Sequence, residues 1–185
     1  MFTIPATDSL YALEMIKLET PRLFIRHFLE SDAEFVVSIC NTPGWLKFIG
    51  DRYIHTNRDA VSYLQKGPFM SYSKFGYGLS GVELKSSGKL IGMCGLIKRD
   101  VLEHTDIGFA FLPEFGGSGY ALEAAKAILQ EGFSTHGLNR IDAITDPENE
   151  RSISLLEKLG MRLEKQMLIP GDQKEVLLFS LEKKS

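Results

Sequence analysis

The chain has 185 residues, 44% of them apolar, and a formal charge of -3 built from mixed acids and bases. That length allows one sizeable core, so one domain over 1–185 is expected. The lack of long like-charge runs excludes a nucleic-acid footprint, and no apolar run approaches the roughly 18 residues of a membrane span.

Residues 1–8 lack the basic-then-apolar order of a signal peptide, which points to the cytoplasm. A strand is expected over 23–28. Ser31-Asp32-Ala33-Glu34 then reads as a capping box, opening a helix over 32–40. Thr42-Pro43-Gly44 interrupts the chain before a short apolar piece at 45–49, and Asn57 offers a cap for a helix over 59–66. Strands at 77–84 and 90–97 flank a hairpin turn, and a further strand follows at 106–112.

Leu122, Ala125, Leu129 and Phe133 recur at helical spacing from Tyr120, with His136-Gly137 as the stop. A strand at 140–145 precedes a helix started by Asp146-Pro147, striped by Ile153, Leu156 and Leu159 and ended by Gly160. Strands at 161–167 and 175–181 flank the turn Pro170-Gly171-Asp172. The pattern is mixed α/β with hairpin-linked early strands. Cys40 and Cys94 sit among apolar neighbours without metal-ligand spacing, so reduced buried thiols and no metal site are expected. Lys183-Lys184 reads as a solvated tail.

Between Phe111 and Ala121 the chain passes from a strand through Gly116-Gly117-Ser118-Gly119 into a helix, where backbone N–H groups at the positive end of the dipole can meet a phosphate. Such glycines also serve simply for positive φ. A dinucleotide fingerprint needs glycine where Leu122 stands and an immediate turn after the strand. A hydrolase elbow needs glycine where Tyr120 stands, and no Walker A sequence occurs.

Asp106-Ile107-Gly108-Phe109, Leu112-Pro113-Glu114-Phe115 and Gly117-Ser118-Gly119-Tyr120-Ala121-Leu122-Glu123-Ala124 together resemble the acetyl-CoA-binding core of GNAT N-acetyltransferases. The similarity is strongest to the branch containing ribosomal-protein N-terminal acetyltransferases. Glu19-Thr20-Pro21-Arg22-Leu23 matches that branch too, as does the stretch from Asp146-Pro147-Glu148-Asn149 through Leu159-Gly160-Met161, so the resemblance covers roughly 18–182. It implies a twisted mixed sheet, splayed at its centre between the strands at 106–112 and 140–145, with helices on both faces. Backbone groups of Phe109, Ala110, Phe111 and Leu112 would bond the pantetheine. N–H groups of Gly117, Ser118, Gly119, Tyr120, Ala121 and Leu122 would bind the pyrophosphate, with Asn149 beside the arm. In the superfamily's turn pattern Gly116 stands at the Gln/Arg position, so only Gly119 and Ala121 fit; backbone donors survive.

The implied activity is transfer of an acetyl group from acetyl-CoA to a primary amine, on a peptide N-terminus or a small molecule, by direct attack. A CoA-binding sensor or interaction module without turnover is the alternative. A protonated amine cannot attack a thioester, so a base or water chain must take its proton. Asp106 stands where the branch usually has an acidic residue beside the thioester, and Glu83, Glu103, His104 and His136 are further titratable candidates. A backbone N–H near Phe111 or Leu112 is expected at the developing oxyanion. Many members carry a tyrosine as general acid where this chain has Leu156. Ser152, one turn earlier on the same face, is the substitute donor. Trp45, Phe48, Tyr53, Tyr63, Phe69 and Tyr72 are the aromatic candidates for an acceptor pocket, and the resembling family is monomeric or homodimeric.

Overall fold

The computed structural model describes residues 16–169 and 174–184. The chain opens with β1 (Ile16–Glu19) and β2 (Leu23–Arg26), then a 3-10 turn (Glu30–Asp32), α1 (Ala33–Cys40) and α2 (Pro43–Phe48). Next come α3 (Asn57–Leu64), a π turn (Gln65–Phe69) and α4 (Met70–Phe75). The hairpin β3 (Leu79–Leu84) and β4 (Lys89–Ile97) leads to β5 (Asp106–Phe111), α5 (Tyr120–Ser134), β6 (Arg140–Thr145) and α6 (Glu150–Lys158). β7 (Arg162–Leu168) and β8 (Glu175–Glu182) close the fold. The turn expected at 170–172 lies outside the described residues.

These strands form one sheet in the order β1-β2-β3-β4-β5-β6-β8-β7. Neighbours are antiparallel except β5 and β6, which α5 joins as a parallel crossover. β5 pairs with β4 along its whole length, from Ile97↔Asp106 to Gly92↔Phe111, whereas β5 and β6 share a single registered pair, Asp106↔Asp142. The two parallel strands meet at their N-terminal ends and diverge from there. The expected central splay is present, and helices cover both faces.

On one face Ala124, Ala125, Ile128 and Leu129 of α5 pack with Cys94, Leu96, Ile141 and Phe179. On the other, Val36 and Ile39 of α1 and Leu64 of α3 pack with Phe28, Met93 and Leu112. The α5 stripe is rotated from the expected one, for Leu122 and Phe133 are only partly buried. Close packing at Gly132 sets this rotation, since a Cβ there would lie 2.7 Å from Ile141 Cδ1.

Three local readings change. Ser31 does not cap α1; Asp32 instead accepts the Leu29 N–H at 2.8 Å and both Nη groups of Arg26 at 2.8 and 2.9 Å, so its carboxylate is buried but paired. Thr42-Pro43 starts α2 rather than breaking the chain, with the Thr42 hydroxyl accepting the Trp45 N–H at 3.4 Å and proline at the first helical position. Thr56, not Asn57, caps α3 through a reciprocal Thr56/Asp59 box, and helical structure continues past Pro68 to Phe75 because the π turn absorbs the missing N–H.

Candidate active site

The alternation of an antiparallel ladder decides which backbone groups face the splay. Leu112 N–H donates to Ile91 O at 2.9 Å, and on the opposite side Asp142 N–H donates to Thr105 O at 2.9 Å. Counting in twos from these bonds, Ala110 and Leu112 turn their amides toward β4, while Ile107, Phe109 and Phe111 turn theirs toward the departing β6. An extended ligand in the gap would therefore meet strand-like donors and acceptors at Phe109 and Phe111.

Beyond β5 the glycine turn bends with φ of +77° at Gly117 and +80° at Gly119, values that side chains rarely adopt. The first bond of α5 runs from Glu123 N–H to Gly119 O at 3.0 Å. The amides of Tyr120, Ala121 and Leu122 thus precede any intrahelical acceptor and stand at the positive end of the dipole. This turn is held from outside by Arg22, a role no local pattern announced. Its Nη1 donates to Ser118 O at 2.9 Å, its Nε to Glu123 Oε2 at 2.6 Å, and its guanidinium lies 4.4 Å from the Tyr120 ring centroid. The Thr20 hydroxyl and Arg22 N–H complete the clamp on Glu123 Oε1 at 2.6 and 2.9 Å.

A cavity of about 810 Å³ opens along the splay. Gly108, Phe109 and Ala110 line it from β5, Ala143, Ile144 and Thr145 from β6, and Asn149, Ser152 and Leu156 from α6 and its start. Trp45, Phe48 and Tyr63 wall it from the helical segment. The remaining aromatic candidates lie elsewhere: Tyr72 stacks on His27 at 3.8 Å and bonds Leu79 O, Phe69 packs against the α1 core, and Tyr53 is exposed beside a smaller neighbouring cavity.

Asp106 lines the cavity at the closed end of the splay and is 1% exposed. Burial pushes its carboxyl up to about 6, against the pull of Arg99, whose Nε donates to both carboxylate oxygens at 3.1 and 3.0 Å. Arg99 was invisible as a site residue until the register placed the end of β4 beside Asp106. Glu83 is bonded by Arg26 at 3.1 Å, Glu103 and His104 lie on the surface 3.9 Å apart, and His136 lies near Glu131 at 3.6 Å; none lines the cavity.

Asp146-Pro147 forms a turn before α6 instead of starting it. Asn149 is the cap, its Oδ1 accepting the Ser152 N–H at 3.1 Å, and the residue lines the cavity. The Ser152 hydroxyl is half-buried and lines the same space, while Leu156 is fully buried behind it. Lys174, just before β8, bonds Asp146 at 2.9 Å and Phe48 O at 2.8 Å, tying α2 to the turn before α6.

The model of the acetyltransferase (GNAT) domain matches residues 22–162, which take in β2 to α6 and with them the splay and the glycine turn. The chain belongs to the GNAT acetyltransferase family. It is 36% identical over 148 residues to the uncharacterized N-acetyltransferase YnaD of Bacillus subtilis (strain 168), covering 80% of this chain and 83% of YnaD. Over 86 residues, 46% of each chain, it is 29% identical to spermidine N(1)-acetyltransferase of Escherichia coli (strain K12). RimL, a ribosomal L7/L12 alpha-N-protein acetyltransferase solved with coenzyme A, superposes with a TM-score of 0.77 at 15% identity, over 90% of this chain and 97% of RimL. As a GNAT member the chain is an acyltransferase, and its mixed splayed sheet is the GNAT fold. Among the described residues no helix is long and apolar enough to cross a membrane.

Proposed function

We propose that this GNAT protein transfers the acetyl group of acetyl-CoA to a primary amine, on a small molecule or a peptide N-terminus, by direct attack in the splay. Acetyl-CoA is the cosubstrate, and it supplies an acetyl group activated as a thioester. The observation that carries the reading is the divergence of β5 and β6 after one registered pair, with outward amides at Phe109 and Phe111 and the glycine turn beyond. The amides of residues 117–122 are the pyrophosphate donors, and Asn149 sits beside the arm. Ala110 and Leu112 contribute packing, since their amides face β4 and that of Leu112 is bonded to Ile91.

Asp106 is the proposed base, acting through water; with its carboxyl near 6 it is ionised at neutral pH and still able to take a proton. Of the two amides expected at the oxyanion, Leu112 N–H is bonded to Ile91 O and Phe111 N–H lies at the glycine-turn end of β5, so the outward Phe109 N–H, nearer Asp106, is the proposed oxyanion donor. The Ser152 hydroxyl is the proposed donor to the departing thiolate. A thiolate with an ordinary pKa of about 8.5 leaves without an obligatory acid, so leucine at 156 slows the transfer without forbidding it. Reduced Cys40 and Cys94, both buried and pushed up in pKa by burial, suit a cytoplasmic setting.

Calorimetric titration with acetyl-CoA, followed by a free-thiol assay over a panel of amines and N-terminal peptides, tests the reading. Binding with amine-dependent thiol release supports it. Binding without release for any acceptor favours a sensor, the reading that Leu156 in place of tyrosine keeps open. Absence of binding overturns the cofactor assignment.

A further inference from the structure

Resting on the acetyltransferase reading, we infer that the acceptor amine also carries an anionic group, a carboxylate or a phosphate, received by Arg52 and Arg99 with the Tyr63 hydroxyl. The side chains of β5 alternate between faces: Ile107, Phe109 and Phe111 pack on the α5 side, Ala110 and Leu112 on the α1 side. Asp106 shares the parity of Ala110, so it and the Arg99 it holds belong to the face that α1 to α4 cover. This is the acceptor side of the sheet.

Arg99 is built into that side. Asp106 grips its Nε edge, and among the described residues its two Nη groups make no hydrogen bond. A guanidinium fixed by one edge offers the other to a planar anion. Arg52 lines the same cavity, and among the described residues it forms no hydrogen bond or ion pair. Tyr63 lies close enough to both arginines to feel their charges, and burial raises its pKa, which keeps the hydroxyl a donor.

Charge around the cavity is one-sided. Basic side chains outnumber acidic ones among the lining residues although the chain carries a formal charge of -3. Of the three acids there, Asp106 is bonded by Arg99, Asp146 by Lys174 at 2.9 Å, and Asp100 is exposed. The cofactor's phosphates do not account for the excess, because residues 117–122 of the glycine turn are not among the lining residues. A polyamine in this cavity would bring further ammonium groups against Arg52 and Lys66, with the exposed Asp100 as the one carboxylate among the described lining residues that no base holds. An amine tethered to an anion presents its nitrogen to Asp106 while its charge is neutralised.

The test has a binding arm and a turnover arm. Wild-type protein saturated with CoA is titrated by calorimetry with N-acetylaspartate and with N-acetylputrescine. Thiol release from acetyl-CoA is then followed with aspartate, phosphoethanolamine, a peptide with acidic residues behind its N-terminus, putrescine and spermidine. The expected result is binding of the acidic product alone, and kcat/KM at least about tenfold higher for the anionic amines. Aspartate against phosphoethanolamine separates carboxylate from phosphate. Arg52→Gln is expected to cut kcat/KM for the preferred anionic amine roughly tenfold through KM, to raise that of the diamines because a repelling charge is gone, and to weaken the rise of KM with salt.

Equal or better use of diamines, or indifference of anionic acceptors to Arg52→Gln, overturns the charge reading while the observed thiol release upholds the transferase. No release from any amine, with acetyl-CoA still bound, goes against the transferase. The calorimetric preference then decides the charge reading alone, and binding of neither product or of the diamine product overturns it.

Discussion

Removing Glu123 is expected to loosen the glycine turn from the first strands and to weaken acetyl-CoA binding without touching any donor amide. Glu123 accepts from the Thr20 hydroxyl at 2.6 Å, Arg22 N–H at 2.9 Å and Arg22 Nε at 2.6 Å. Its side chain is 16% exposed and that of Arg22 is 45% exposed, so solvent screening discounts the ion pair and the exposed Arg22 N–H bond, while the Thr20 bond is better sheltered. Hydrogen bonds to a charged group contribute about 1.5–3 kcal/mol each when isolated. Shared on one carboxylate and partly screened, the set is worth about 2 kcal/mol in all. For a chain of this size that corresponds to a fall in Tm of roughly 4–8 °C in Glu123→Ala.

The pH dependence has a definite sign. Burial alone would raise the Glu123 carboxyl, but the donors from Thr20 and Arg22 outweigh it and hold the group below its ordinary value. A carboxylate depressed on folding stabilises above its unfolded pKa and loses that contribution as pH falls through the folded pKa. The Tm gap between wild type and Glu123→Gln is therefore widest at neutral pH and closes in acid. Calorimetry should show acetyl-CoA affinity reduced about threefold to tenfold in Glu123→Ala, because Arg22 then no longer holds Ser118 O from a fixed position. A Glu123→Ala protein with wild-type Tm and acetyl-CoA affinity would refute the clamp.

Asp106→Asn is expected to lower turnover about a hundredfold with acetyl-CoA affinity unchanged, and to abolish an acidic limb that in wild type rises through about pH 6 in kcat/KM; pH–rate profiles check both. In Arg99→Gln that limb should move to higher pH, since the guanidinium is what holds the buried carboxyl down. Ser152→Ala should reduce kcat about threefold to tenfold with stability within ~0.5 kcal/mol of wild type, because the bond to Asn149 uses the Ser152 amide rather than the hydroxyl. Asn149→Ala removes the α6 cap and should cost about 1 kcal/mol, seen as a fall in Tm of about 2–4 °C.

Much of the scaffold of the proposed donor site was readable because it is made of backbone. A strand, two glycines at positive φ and a helix start are local events, and each leaves its mark within a few residues of sequence. β6 was found with the bounds it has, and α5 began at Tyr120 as expected. The side chains that support the site were not readable in this way. Arg22 reaches Ser118 and Glu123 across the fold, and Arg99 reaches Asp106 only because Ile97 pairs with Asp106. Such contacts depend on register, which one sequence does not reveal. The helix through Pro68 was cut short for the opposite reason: the local breaker signal was real, but a π turn and the packing of Leu64 and Pro68 overrode it.

On the proposed reading, β5 performs two separate tasks with two separate parts of its chain. Its six residues extend over roughly 17 Å, from Asp106 at the closed end of the splay to Phe111 near the glycine turn. With the pyrophosphate end of a ligand at that turn, an extended arm runs back along the outward amides and delivers its reacting end toward Asp106. Those amides are independent of side-chain identity, whereas the side chains of alternate residues form the acceptor face. Donor binding can thus stay constant while the acceptor face changes residue by residue. On this reasoning, substitutions at Phe109 or Phe111 act through packing on the α5 side, and acceptor choice is set by Arg52, Arg99 and Tyr63, which the donor does not need.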